Sequence, residues 1–170
     1  MNDSLRVVYL LALAGLLGWL AWQVFRQVRR NLSVEGVINE VQPKLKLGTA
    51  TAQEFYNLGC AFLEKRLYSD SMGCFKRAIE AEPEFAEAYN NLGFCYFQQN
   101  QFDVAIRQYK EAIRIKPDYV SALNNLGHAY EQKSQAEQAL EVYEKVLATS
   151  PTNPTAERRA RALRKRVPSA

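Results

Sequence analysis

The side chains best suited to chemistry are few: Cys60, Cys74, Cys95 and His128, three thiols and the single histidine of a 170-residue chain. Together they would supply the donors of a tetrahedral zinc site. Their spacings of 14, 21 and 33 residues resemble no metal knuckle, in which paired ligands sit two to four residues apart. Cys74 stands beside Phe75, and all three thiols read as small apolar residues, with a redox pair between Cys60 and Cys95 as the alternative. An odd number of cysteines without framework spacing argues against a disulfide-stapled secreted fold and fits a reducing compartment. The chain has no phosphate-cradling glycine loop, paired metal-ligand motif or nucleophile elbow. Neither an enzyme nor a cofactor is expected.

The elements that carry these residues come from self-similarity. A 34-residue pattern occurs three times in register, beginning at Ala52, Ala86 and Val120. Positions four, seven, eight and eleven hold Phe55, Leu58, Gly59 and Phe62; then Tyr89, Leu92, Gly93 and Tyr96; then Leu123, Leu126, Gly127 and Tyr130. Positions twenty, twenty-four, twenty-seven and thirty-two hold Ser71, Phe75, Ala78 and Pro83; then Ala105, Tyr109, Ala112 and Pro117; then Ala139, Tyr143, Val146 and Pro151. This is a helical hairpin repeated. The glycine lets two helices approach, small residues do the same from the partner, and the aromatics fill the space left. Proline closes each unit because it ends one helix and can begin another. Thr51 and Glu54 form a capping box at the first repeat. The expected repeats are 52–85, 86–119 and 120–153.

The flanks differ from the repeats. From Val7 to Phe25 nineteen residues carry no charge, which as a helix covers roughly 28 Å, close to the thickness of a bilayer's hydrocarbon core. A signal peptide is the competing reading, but the run is long for a signal core and no small-x-small cleavage site follows it. Arg26, Arg29 and Arg30 follow the run, so the positive-inside rule keeps the rest of the chain on the cytoplasmic or stromal side. Residues 26–51 read as a connector with a short helix, punctuated by Pro43 and Gly48. At the other end, 154–167 reads as a capping helix with Ala156, Ala160, Leu163 and Val167 on one stripe and six Arg or Lys residues elsewhere. Those basic residues read as a solvated face or as a contact for anionic lipid.

An apolar fraction of 48% with 24% charged residues is globular rather than disordered composition. A mean hydropathy of -0.31 excludes a polytopic membrane protein. The formal charge of +4 is unevenly placed: residues 1–30 carry +3, residues 31–51 carry 0, the repeats -2, 0 and -2, and the tail +5. The repeats offer no basic groove, so no nucleic-acid partner is expected.

The repeats resemble the tetratricopeptide family, which implies an all-α fold: a transmembrane helix, a three-repeat superhelix of helix-turn-helix units and a C-terminal cap. The resemblance implies packing roles for Leu58, Gly59, Ala78, Leu92, Gly93, Ala105, Ala112, Leu126, Gly127 and Ala139. It also implies a concave peptide-binding groove on the first helices, whose contacts here would be Tyr56, Leu63, Asn90, Phe94, Phe97, Asn124, His128 and Glu131. In that groove amides would meet a peptide backbone and aromatics its apolar side chains. The asparagines have a second reading as ties between neighbouring helices. No lysine or arginine stands at the groove positions. Relatives that clamp acidic chaperone tails use lysines and asparagines there, and of that clamp only Asn91 has a counterpart; Tyr56, Cys60, Ser121 and Asn125 stand at the other places. No chaperone-tail partner is therefore expected.

The whole plan is similar to the membrane-anchored photosystem I assembly proteins of cyanobacteria and plastids. The likeness rests on the entry QPKLKLGTATAQEFYNLG, the run Phe102 to Ala112, and LNNLGHAYEQK in the third repeat. It implies a non-catalytic factor at the thylakoid membrane whose partners are photosystem I subunits or assembly intermediates. An anchored adaptor of the bacterial inner membrane, serving cytochrome biogenesis, secretion or pilus assembly, is the alternative.

Overall fold

A computed structural model describes residues 3–166, and for residues 3–7, 27–34 and 46 the backbone alone. Val167 and the side chains of Val7, Arg29 and Arg30 lie outside the described residues. The described chain is all helix: α1 (Asp3–Leu47), α2 (Ala52–Glu64), α3 (Tyr68–Ala81), α4 (Ala86–Gln98), α5 (Phe102–Ile115), α6 (Val120–Gln132), α7 (Ala136–Thr149) and α8 (Pro154–Arg164). Each helix packs chiefly on its neighbours in sequence, from α1 on α2 to α7 on α8, so the molecule is a stack without a central core.

The hairpins α2/α3, α4/α5 and α6/α7 share one packing device. A Cβ added to Gly59 would stand 2.6 Å from the Phe75 ring, one on Gly93 2.8 Å from Tyr109, and one on Gly127 2.7 Å from Tyr143. Each ring therefore occupies the space a side chain would need. Ala78, Ala105, Ala112 and Ala139 are fully buried on the second helices, and Leu58, Leu92 and Leu126 are buried on the first. Ser71 stands where the other repeats have alanine, and its hydroxyl donates to the Gly59 carbonyl at 2.7 Å, so the buried oxygen is satisfied. Thr51 and Glu54 do close the capping box: Thr51 N–H donates to Glu54 Oε2 at 2.8 Å, and Glu54 N–H to Thr51 Oγ1 at 3.3 Å. Lys44 also pairs with Glu54, and these bonds hold the Glu54 carboxyl down at about 2.

The span and the expected connector form one element, because α1 continues to Leu47 through Pro43. Proline removes a single backbone bond here, and the end of α1 is held from outside: Val41 is 3% exposed, and Leu45 packs in the cluster of Phe55, Ala78 and Ala88. Within α1, Val8–Arg26 is long and apolar enough to cross a membrane, and none of it is covered by the repeats.

The cap is in register with the repeats. Pro154 stands 34 residues after Val120, which makes α8 the first helix of a fourth unit. Ala156, Ala160 and Leu163, at positions three, seven and ten, are buried against α7 as Ala122, Leu126 and Ala129 are buried one unit back. Position eight, glycine in the three complete units, is Arg161, and no second helix follows among the described residues.

Candidate peptide-binding surface

The groove residues fall into two groups. Tyr56, Asn90 and Asn124 belong to a ladder between first helices. Asn91 Nδ2 donates to Tyr56 Oη at 3.1 Å, and one unit on Asn125 Nδ2 donates to Asn90 Oδ1 at 2.9 Å. Asn90 is 6% exposed, and its own Nδ2 donates to Asn91 Oδ1 at 3.1 Å. Asn90 thus serves as a tie between helices, with both its amide oxygen and its amide nitrogen bonded to neighbouring asparagines. The Tyr56 ring lies against Phe75 and Phe85 at centroid distances of 5.7 and 4.8 Å, and burial raises its phenol far above the usual range. Asn124 is the next acceptor in the ladder. Its buried Oδ1 has no donor among the described residues, and the fourth unit has Arg159 where the others have asparagine.

Arg159 instead reaches across the end of the surface. Its Nη1 donates to Glu131 Oε2 at 3.0 Å, while Glu131 Oε1 accepts from Tyr143 Oη at 2.7 Å. Glu131 is therefore held by the cap and by its own second helix. Lys116, from the α5–α6 turn, pairs with Glu87 at 3.5 Å. The first helices carry no groove cation, and the two cations beside the groove come from a turn and from the cap. Sequence reasoning on first-helix positions missed both. Extending the 34-residue count to Pro154 finds Arg159, and the aromatic pair Phe85 and Tyr119, each just ahead of a first helix, follows from the same spacing.

The second group gathers where α4 faces α6. Phe97 lies 4.9 Å from the His128 ring and 5.3 Å, edge-on, from Phe102. His128 shares a contact of 3.3 Å with Gln132. Burial first, and then Arg159, lower its pKa against an opposing pull from Glu131, so the ring is neutral at pH 7. Phe94, one turn earlier on α4, is partly exposed. Leu63 packs apart from them, against Phe75, Leu92 and Cys95. The surface thus has a tied amide ladder at one side and an aromatic and imidazole patch at the other.

The thiols are poor nucleophiles. Burial raises Cys60 and Cys95, and burial followed by Asp70 raises Cys74 to about 11. Cys95 Sγ donates to Ser71 Oγ at 3.5 Å, and Cys60 Sγ accepts from Asn91 at 3.6 Å. Among the described residues no three His, Cys, Asp or Glu side chains gather as metal ligands would.

Family models for tetratricopeptide repeats match residues 74–107, 95–134 and 120–153. The chain is a tetratricopeptide-repeat protein. Over 79 residues the chain is 37% identical to the chloroplastic tetratricopeptide repeat domain-containing protein PYG7 of Arabidopsis thaliana. That match covers 45% of this chain and 26% of the relative, so the chain spans about a quarter of the relative's length. Among solved structures, MamA is 30% identical with a TM-score of 0.63, over 72% of this chain and 64% of that one. The first tetratricopeptide domain of Spaghetti (RPAP3), solved with the HSP90 peptide SRMEEVD, has a TM-score of 0.66 over 68% of this chain and 92% of its own. At 23% identity it shows the fold alone. Tetratricopeptide domains are protein-interaction modules, and this chain is built as such a scaffold.

Proposed function

We propose that the chain is a membrane-tethered scaffold that binds subunits or assembly intermediates of photosystem I at the thylakoid membrane. In this reading Val8–Arg26 crosses the bilayer, and Arg26, Arg29 and Arg30 keep the repeats on the stromal or cytoplasmic side. The observation that carries the binding role is the patch of Phe94, Phe97 and His128, partly exposed and outside the amide ladder. Such a patch suits apolar side chains of a client segment. The client class rests on the plan of one span and three repeats with its flanking runs, and the chloroplastic relative supports it.

Chaperone tails do not fit this reading. Asn91, the one counterpart of the clamp, is already engaged by Tyr56 and Cys60. The test is affinity capture from mild-detergent membranes with the span intact. Photosystem I polypeptides are the expected catch; secretion, cytochrome-biogenesis or pilus subunits without them would overturn the reading. Replacing Phe94 and Phe97 with alanine should reduce that capture more than replacing Arg164, Lys165 and Arg166. The reverse ranking would move the working surface to the tail.

A further inference from the structure

The ion pairs at the first repeat fix how the stack stands on its anchor. Lys44 pairs with Glu54, and Glu35 with Lys65 at 3.9 Å, so α2 runs back along α1 toward the span. Each turn then reverses the chain, and the ladder bonds from Asn91 to Tyr56 and from Asn125 to Asn90 keep the first helices parallel and in register. The α2–α3, α4–α5 and α6–α7 turns and the end of α8 consequently share one edge, on the side of the span. That edge has a charge of its own. Residues 65–67, 99–101, 133–135 and 164–166 include Lys65, Arg66, Lys133, Arg164, Lys165 and Arg166 and no acid. The opposite turns, 82–85, 116–119 and 150–153, hold Glu82, Glu84 and Asp118 against Lys116 alone.

The distance is short. Nine residues of continuous helix separate Arg26 from Glu35, about 14 Å at the helical rise. Roughly 6 Å of that lies within the headgroup zone, leaving the first turn within about one Debye length of it at 0.1 M salt. Three cations of the edge, Arg66, Lys165 and Arg166, have no ion pair among the described residues. Leu67, 44% exposed beside Arg66, is the one large hydrophobic side chain outside α1 that stands out to solvent among the described residues.

We infer that this edge rests on the bilayer and that its cations bind anionic lipid headgroups, with Leu67 as an apolar contact. The inference builds on the reading of α1 as a span, and it turns the groove sideways to the membrane instead of leaving the repeats free on a tether. A basic residue near an anionic surface contributes about 1 kcal/mol, roughly a fivefold factor in equilibrium.

The experiment is backbone hydrogen exchange on the full chain in nanodiscs of phosphatidylcholine alone and with phosphatidylglycerol. In anionic discs at 0.1 M salt, residues 65–68 and 163–166 should exchange at least about fivefold more slowly than in neutral discs. Residues 82–85 and 116–119 should exchange equally in both. Salt at 0.5 M, or the variant R66E/K165E/R166E, should remove the difference. Equal exchange in both lipids, or protection that needs an added client protein, would overturn the inference. Alkaline carbonate extraction separates this from the reading beneath it: a chain released from the membrane refutes the span itself, whereas a chain that stays embedded without edge protection refutes only the lipid contact.

Discussion

The two ends of the stack are closed by unlike means. At the amino-terminal end α1 covers the first repeat with Val41 and Leu45 and leaves a groove of about 470 Å³ lined by Ile38, Leu45, Phe55, Phe62, Cys74 and Arg77. At the other end α8 imitates a repeat on one face and refuses to continue it on the other. Ala156, Ala160 and Leu163 close over Tyr143 and Val146, while Arg161 and Arg164 take the places that glycine and an aromatic hold in the complete units. One end of the described stack is thus covered by a long helix that crosses the first repeat, and the other by a helix that repeats the packing of the units before it. A stack of this kind needs a polar outer face at its last helix, and α8 supplies it.

Loosening the two ends should have unequal effects. Leu163→Ala should cost about 3 kcal/mol in chemical denaturation, because the side chain closes a packed cluster. Val41→Ala should cost about 1.5 kcal/mol, the loss of two buried methyl groups beside a groove that is already open. Equal losses would mean that α1 seals its end as tightly as α8. Position eight sharpens the contrast. Gly93→Ala pushes a Cβ to 2.8 Å from the Tyr109 ring and 3.2 Å from the Ala105 carbonyl, at a cost of about 2 kcal/mol. Arg161→Ala, at the same position of α8, should stay within about 0.5 kcal/mol in the same titration.

A smaller effect, of opposite sign, is expected in the first turn. Arg66, Asn100 and Ser134 occupy one left-handed position of the three complete units, with φ of 59°, 60° and 58°. Arginine is the bulky misfit among them. Arg66→Asn should raise thermal stability, by about 1 kcal/mol at most, and should weaken the lipid contact at the same time. The smallest effect concerns His128. Its pKa in the folded chain lies below the ordinary 6.5, so the unfolded chain binds the proton more readily. The contribution to stability is complete above pH 6.5 and declines as pH falls through that value toward the folded pKa. His128→Gln should flatten the melting temperature between pH 7 and 5.5; an unchanged slope would assign the pH dependence to other groups.

Much of this was legible in the residues. The period of 34, the glycines at position eight and the aromatics at position twenty-four define hairpins whose geometry each copy repeats, because a missing side chain and a large ring are complementary demands on one space. Asn90 and Tyr56 were harder to place. Spacing puts both on the inner face of a first helix, but whether an amide meets a peptide or a neighbouring asparagine depends on the crossing of α2, α4 and α6, which only packing sets. Glu131 and Arg159 show the same thing over a longer reach, since they lie 28 residues apart on helices that do not follow one another.

The sequence by itself determined the repeat, its register and the apolar run before it, because each follows from local periodicity and side-chain size. The tertiary structure decided that α1 runs unbroken past Pro43, that α8 packs as the first helix of a fourth unit, and that the basic residues of the first turn and of the tail share an edge. Those outcomes depend on which helices lie side by side and in what direction, and packing between distant segments fixes that.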